Sequence, residues 1–230
     1  MFKKILVVCA HPDDEVIGCG GTLAKLSKNA EINLLIFTDG ESSRLNRSKR
    51  SKLNQNIKKK INNRKKMLQK SSKILGIKNF HQHNYEDNQL DNYSNLELTK
   101  LIEKYIIKYS PDTIFTHFKN DLNIDHRKIF RAVITATRPF KNKTLKNVLS
   151  FEITSSTELS FYSERFNPNF FINIENSIQK KKRALNVYKS QLNKEKGLLT
   201  IENIIDISKY RGNFIGCKYA EAFEIIRMAI

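Results

Sequence analysis

Cysteine is scarce in this chain of 230 residues, and long apolar segments are missing from it. The three cysteines, Cys9, Cys19 and Cys217, are widely spaced, and no Cys-x-x-Cys pair occurs. An odd number of such cysteines argues against a disulfide framework and favours the reducing cytoplasm. No window approaches the roughly 20 apolar residues of a membrane-spanning helix, and the first apolar run is too short for a signal peptide. We therefore expect a cytoplasmic protein.

Acidic residues are absent from Ser42 to Tyr85, although this segment contains fourteen lysines and arginines. Most of the excess behind the net charge of +18 lies here. Apolar residues at near-helical spacing predict a helix within 44–78 with one buried side and one basic side. These apolar residues are Leu53, Ile57, Ile61, Leu68 and Leu75. The basic side is either a plain solvated surface or a surface that attracts an anionic substrate or makes peripheral contact with a membrane.

Sequence features of nucleic-acid binding are also missing. The chain has no helix-turn-helix pattern, no metal finger and no aromatic series interleaved with the lysines, so nucleic acid is not an expected partner. We find no internal repeat and no linker, and the apolar content of 40% is ordinary for a globular core. The length predicts a single domain over residues 1–230, and the sequence makes no prediction of oligomeric state.

Apolar runs typical of strands alternate with segments of helical periodicity along the chain. Strands are predicted at 3–10, 32–37, around 80, and at 113–117, 148–153 and 170–174. Helices are predicted at 18–28, within 44–78, at 96–109, after Asp125, and at 178–192 and 201–210. This alternation predicts an α/β fold, with a Rossmann-like, doubly wound and mostly parallel sheet that carries helices on both faces.

A histidine and two aspartates follow directly after the first predicted strand, in the run Ala10-His11-Pro12-Asp13-Asp14-Glu15. Pro12 has no N–H to donate and therefore ends the strand. Open α/β sheets bind their ligands at this carboxyl end of the strands. His11 and Asp14 are ligand types suited to zinc, and His126, after the fourth strand, is the expected third ligand of an open, catalytic site. Asp13 is left free beside them.

Glycines after the first strand invite comparison with a dinucleotide-binding loop. The run Gly18-Cys19-Gly20-Gly21 fails the required spacing, because Leu23 stands where the third glycine should be. We interpret these glycines as a tight turn and a close contact between helix and sheet, and we expect no nucleotide cofactor.

Several stretches, in this order, resemble the PIG-L/LmbE-like zinc-dependent N-acetyl-sugar deacetylases. They are Ala10–Glu15, Thr38–Glu41, Tyr85–Asp91, Asp121–Arg127 and Ala220–Phe223. The resemblance spans nearly the whole chain and implies an LmbE-like fold. It also implies that His11, Asp14 and His126 bind zinc and that Asp13 is the general base.

The implied chemistry suits an acetamide, whose carbonyl is a poor electrophile. Zinc lowers the pKa of a bound water and polarises the carbonyl. Asp13 can then take the proton from the attacking water, and the metal stabilises the tetrahedral oxyanion. Iron(II) is the alternative ion for a site of this kind.

One position departs from the common pattern of the family. Many members have a histidine three residues before the last zinc ligand, where this chain has Asn123. Asparagine can hydrogen-bond the oxyanion but cannot donate a proton as a titrating acid. Asp13 or His117 could donate that proton instead, although His117 could equally be a strand-end histidine without a catalytic role. We expect Asp125 to orient a ligand and to cap the helix that follows it.

Three further residues are candidates for binding substrate. Arg44 could meet a phosphate or a sugar hydroxyl, or it could be a surface arginine. Asn88 and Asp91 could contact a sugar or simply close a turn.

The sequence therefore predicts a zinc-dependent N-deacetylase. Its substrate would be an anionic N-acetylated amino sugar, either a small molecule or lipid-linked, in surface-glycan biosynthesis. The alternatives are a deacetylase of a glycosylated thiol, in low-molecular-weight thiol synthesis, and a catalytically impaired basic binding protein on the same fold.

Overall fold

A computed structural model describes residues 2–44, 55–161, 164–192 and 199–229. The strands are β1 (Lys4–Cys9), β2 (Glu31–Thr38), β3 (Asn79–Tyr85), β4 (Thr113–His117), β5 (Asn147–Phe151), β6 (Phe170–Asn173) and β7 (Ala220–Arg227). The helices are α1 (Asp14–Leu26), α2 (Gln55–Leu75), α3 (Asn95–Tyr109), α4 (Ile124–Ala136), α5 (Ile178–Val187), α6 (Lys189–Leu192) and α7 (Ile201–Asn213). Within these ranges, no helix is long and apolar enough to cross a bilayer.

The seven strands form one sheet in the order β3-β2-β1-β4-β5-β7-β6. Neighbouring strands from β3 to β5 are parallel, whereas β7 runs antiparallel to both β5 and β6. The prediction of a mostly parallel α/β sheet is confirmed. Strand β7 is not predicted from the sequence, because Glu221 and Glu224 interrupt its apolar pattern.

Side chains of β1 alternate between two cores, one on each face of the sheet. Ile5, Val7 and Cys9 pack with residues of α1, α2, α5 and α7. Leu6 and Val8 pack with residues of α3 and α4. The predicted placement of helices on both faces is therefore confirmed. All three cysteines are free, and Cys9 and Cys19 are buried.

Helix α1 begins before its predicted start, whereas α2 lies within its predicted range. Helix α1 begins at Asp14 and not at Gly18, so the second aspartate of the motif already belongs to the first turn. Helix α2 is described from Gln55 onward, and the earlier part of its predicted range, 45–54, lies outside the described residues.

The glycines of α1 allow close packing on the sheet, as expected, but they lie within the helix and not in a turn. A Cβ atom on Gly18 would lie 2.3 Å from Cδ2 of Phe151. A Cβ atom on Gly21 would lie 2.6 Å from Cδ1 of Ile174. A side chain at either position would force α1 away from the sheet, so the glycines serve packing.

A buried ion pair repairs a break in α1 at Cys19, whose φ of −142° is not helical. In a regular helix the N–H of Gly21 would donate to the carbonyl of Ile17. Here Glu221 accepts from Gly21 N at 2.8 Å, while the Nζ of Lys181 donates to Ile17 O at 3.0 Å. Lys181 and Glu221 also pair with each other. The pair therefore satisfies both halves of the broken hydrogen bond.

We expect Lys181→Ala to lower the free energy of unfolding by about 3–5 kcal/mol, because it leaves the buried Glu221 carboxylate without its counter-charge. Urea denaturation monitored by circular dichroism measures this change. Lys209→Ala is the control, because Lys209 pairs with Asp206 at 2.7 Å on the exposed surface. Its midpoint should match that of the wild type, and equal losses in the two variants would contradict the interpretation.

Candidate active site

The chemistry-bearing side chains gather at the carboxyl edge of the central strands, where ligands bind in open α/β sheets. His11, Asp13 and Asp14 follow β1, and Asp87 follows β3. His126 lies in the first turn of α4, which follows β4. Parallel strands thus bring residues more than 100 positions apart in the sequence to one place.

The structure brings the three expected metal ligands together in a buried group whose ligand atoms all lie within 4.8 Å of one another. Nδ1 of His11 lies 3.2 Å from Nε2 of His126 and 3.3 Å from Oδ2 of Asp14. Two imidazole nitrogens and one carboxylate are donors that suit zinc or iron(II).

Each histidine of the group turns its other ring nitrogen toward a carboxylate. Nε2 of His11 lies 3.1 Å from Asp125 and 3.1 Å from Asp87. Nδ1 of His126 lies 3.0 Å from Oδ1 of Asp121. Carboxylates in these positions set the tautomer and ring orientation of metal-binding histidines. The arrangement fits a divalent ion on Nδ1 of His11 and Nε2 of His126.

The same carboxylates shift the pKa values of the histidines. Burial alone would lower the pKa of His126, but Asp121 and Asp14 outweigh it and raise the pKa to about 9. Burial also opposes the charged form of His11, yet Asp14 and Asp125 raise its pKa well above the usual value. Burial would raise the pKa of Asp14, but His126 and His117 hold it well below its usual range. The site is therefore built to concentrate negative charge where a cation binds.

Asp13, the expected general base, occupies a strained backbone conformation with φ of 121°. Such strain costs about 1–3 kcal/mol and persists where neighbouring groups enforce it. The Oε2 atom of Glu15 accepts from Asp13 N at 3.0 Å, and Nη2 of Arg64 donates to Oδ2 of Asp13 at 3.0 Å. Burial raises the pKa of the Asp13 carboxyl, and the charge of Arg64 opposes that rise.

Arg64, like Asp87 and Asp121, is a functional residue that the sequence pattern did not identify. It is only 4% exposed, and its guanidinium lies 5.6 Å above the ring of Tyr188. A signal was present, since Arg64 falls at helical spacing on the same stripe as Ile57, Ile61 and Leu68. A cation on the buried stripe of a helix needs a buried anion, and Asp13 supplies it.

His117 lies beneath the metal-ligand group, with its Nε2 3.3 Å from Oδ2 of Asp14, and it is not among the residues that line the cavity. Of the two roles left open for it, the supporting one fits this placement. The side chain is fully buried, and its ring stacks on that of His126 with a centroid separation of 3.9 Å. Nε2 of His117 accepts a hydrogen bond from Ala10 N at 2.9 Å. Burial, followed by the charge of His126, lowers the pKa of His117 to about 4. A neutral, supporting histidine accounts for these contacts.

Asn123, and not Asp125, caps α4, which corrects the sequence-based expectation. Oδ1 of Asn123 accepts from Asp125 N at 2.8 Å. Asp125 instead accepts from the backbone N–H groups of Asn88 and Leu90 while it faces His11. The second part of the expectation, that Asp125 orients a ligand, agrees with this geometry.

A cavity of about 260 Å³ opens over the metal-ligand group. Asp13, Arg64, Asn88 and Asn123 line it, and Nδ2 of Asn123 donates to Oδ1 of Asn88 at 3.0 Å. The rest of the wall includes Ile17, Ile153, Ser155, Ser156, Gln191 and Leu199.

The three predicted substrate-binding residues have different placements. Asn88 lines the cavity, whereas Asp91 lies on an exposed turn and is not part of the wall. The side chain of Arg44 lies outside the described residues.

Comparison with known proteins identifies the family and several relatives. A family model described as GlcNAc-PI de-N-acetylase matches residues 6–137. A diacetylchitobiose deacetylase from Thermococcus kodakarensis is 27% identical over an alignment of 232 positions, gaps included. This alignment covers 97% of this chain and 83% of the relative. A probable N-acetyl-alpha-D-glucosaminyl L-malate deacetylase 2 from Bacillus cereus is 27% identical over 193 residues, with coverage of 83% and 84%.

A solved structure is similar along almost the whole chain. It is that of N,N'-diacetylchitobiose deacetylase from Pyrococcus horikoshii in complex with its inhibitor MPG. The TM-score is 0.76 at 26% sequence identity, and the match covers 98% of this chain and 84% of the other.

We expect the affinity of the metal-free protein for zinc to rise with pH. The raised pKa of His126, about 9, means that the ring carries a proton at neutral pH, and the ion must displace it. In the metal-free protein the same shift contributes stability that is complete below the unfolded pKa of about 6.5. That stability is lost as the pH rises through about 9.

Chelator competition between about pH 6 and about pH 8 measures the affinity, and calorimetry in two buffers counts the released protons. His83→Ala is the control, because His83 packs against Tyr105 away from the site, and it should keep the pH dependence. An affinity that is the same across this range would contradict the expectation.

Proposed function

Because the chain belongs to the PIG-L family, we propose that it is a metal-dependent hydrolase that removes the acetyl group from an N-acetylated amino sugar. The observation that carries this proposal is the arrangement around His11, Asp14 and His126. These three offer ligand atoms to one ion, and Asp13 stands beside them in the same cavity, engaged by Arg64 and not by a ligand.

Zinc is the ion that we propose for this group, with iron(II) as the alternative. When bound, it supplies a Lewis acid for the acetamide carbonyl and a water of lowered pKa. Asp121 and Asp125 contribute by holding the rings of His126 and His11 in the ligating orientation.

Asp13 acts as the general base. Arg64 binds its Oδ2, so Oδ1 is the oxygen that accepts the proton of the attacking water. The burial that raises the pKa of the carboxyl makes it a better base than a solvated aspartate. Asp13 then passes this proton to the amine nitrogen as the C–N bond breaks, and acetate and the free amino sugar are the products.

Asn123 stabilises the developing oxyanion by hydrogen bonding. Its Oδ1 is engaged by the cap of α4, and one N–H of Nδ2 is engaged by Asn88. The amide has a second N–H, which we assign to the carbonyl oxygen of the acetyl group. Asn123 therefore stabilises the oxyanion as the histidine found at this position in many family members would, whereas the proton comes from Asp13.

The substrate that we propose carries a negative charge on or near the sugar. The net charge of +18 favours an anionic substrate, whereas Arg64, although it lines the cavity, is already paired with Asp13. The B. cereus relative is named for a sugar joined to L-malate, an acid. The cavity lies below the usual range of small-molecule pockets, about 300–1,000 Å³, so one sugar ring would enter and its nucleotide, lipid or glycan portion would remain outside.

Surface-glycan assembly is the context that we propose for such an activity. A glycosylated thiol is the alternative substrate class, and a catalytically impaired binding protein is the alternative from another class. The last is favoured only by Asn123, which stands where many relatives have a titratable histidine.

We expect Asp13→Asn to lower the rate of acetate release by about 10²–10⁴-fold, because the asparagine cannot take the proton of the attacking water. Release is measured with N-acetylglucosamine as the free sugar and in nucleotide-linked, lipid-linked and thiol-linked forms. The metal content should stay at the wild-type level. Asp91→Asn is the matched control, and its turnover should not change. A fully active Asp13→Asn protein, or a metal-loaded wild type silent on all four substrates, would contradict the proposal.

Asn123→Ser should separate the two roles of Asn123. Serine still caps a helix, so the thermal midpoint should hold, but kcat should fall by about 10²–10³-fold with the loss of the oxyanion donor. Asn123→Ala should lose kcat and, in addition, about 1 kcal/mol of stability. Unchanged kcat in both variants would remove Asn123 from the mechanism. An inactive wild type together with an active Asn123→His variant would support the impaired alternative.

A further inference from the structure

The outward side of α2 is a lysine face, made of Lys58, Lys59, Lys60, Lys65, Lys66, Lys70 and Lys73. All seven side chains are exposed. The helix contains no acidic residue, and none of the seven lysines forms an ion pair within the described parts of the chain. Over 21 residues the helix is about 31 Å long, so the positive charge is too extended to serve one small anion.

The opposite side of α2 fixes this face in place. Leu68 and Leu75 are fully buried in the core between α2 and the sheet, and Ile57 is nearly so. The lysines are therefore presented by a rigid element and not by a flexible tail. Helix α5 packs beside α2, and the exposed Arg183 of α5 and Lys189 of α6 extend the positive field, since neither helix contains an acidic residue.

The composition of the face distinguishes between extended anionic partners. Its cations are lysines, which act as hydrated point charges, and the one arginine of the described helix, Arg64, turns inward to Asp13. Nucleic-acid sites favour the planar fork of arginine and stack bases on aromatic rings, but α2 and α5 carry no aromatic residue. Clustered lysines are attracted to anionic lipid without specific geometry, at about 1 kcal/mol per residue.

We propose that the lysine face of α2, continued by α5 and α6, docks the protein on an anionic lipid bilayer. The same helix holds Arg64 against Asp13, so docking sets the catalytic cavity at a defined position relative to the lipid headgroups. The inference does not depend on the proposed deacetylase activity, because it concerns binding and is tested without turnover.

The test compares two triple variants of the full-length, zinc-loaded protein. K59E/K66E/K70E reverses three charges of the lysine face. K100E/K104E/K108E is the matched control, because these lysines are exposed on α3, on the other side of the sheet. Both variants change the net charge equally. Circular dichroism and thermal midpoints establish that both remain folded.

Co-sedimentation measures binding to phosphatidylcholine vesicles with and without about 30 mol% phosphatidylglycerol. We expect the wild type to bind the anionic vesicles and not the neutral ones. The α2 variant should lose at least about 100-fold in partitioning, because each of the three lysines contributes about fivefold, and the α3 variant should bind like the wild type.

Three results would overturn the inference. The first is a wild type that does not co-sediment with anionic vesicles. The second is an equal loss in both variants, which would indicate a general effect of net charge. The third is complete displacement from the vesicles by an equal charge concentration of duplex DNA, which would assign the face to nucleic acid.

Discussion

The left-handed backbone of Asp13 is the constraint on which the site depends. Two adjacent carboxylates must point in different directions, Asp14 toward the histidines and Asp13 toward the open cavity. A φ of 121° at Asp13 separates them, and α1 begins immediately afterwards. Glu15 holds the strained residue through its backbone N–H, while Ser71 of α2 and Tyr188 both donate to Glu15. The strain is thus balanced by three elements of the fold.

Helix α2 links this constraint to the charge of the molecule. Its composition is typical of a lysine-rich exposed surface, and most of its basic residues are indeed exposed. Arg64 is the exception, because it lies on the buried stripe and neutralises the carboxyl that would otherwise stand unpaired in a buried site. One helix therefore serves both the interior electrostatics of the site and the exterior field of the protein.

Local patterns in the sequence were sufficient for the strands around the site and for the convergence of His11, Asp14 and His126. A buried strand followed by ligand residues is a local signal, and the rule that parallel strands end at one edge supplies the rest. Asp87 and Asp121 could not be predicted in the same way, and neither could the partner of Arg64, because each acts through a group that only the tertiary fold brings near. The cap of α4 was misplaced by two residues, since both Asn123 and Asp125 are suitable capping residues and sequence alone does not choose between them.

The last strand of the chain lies inside the sheet, between β5 and β6. Strand β6 has no other neighbour in the described sheet, so it cannot pair until β7 has been made. The segment after β6 includes Lys181, Tyr188 and Gln191, which support α1, Glu15 and the cavity wall. The metal-ligand residues are all present by His126, yet the segment that walls the cavity lies between β6 and β7, two strands that join the sheet only through β7. Completion of the active site is therefore coupled to the insertion of β7 between β5 and β6.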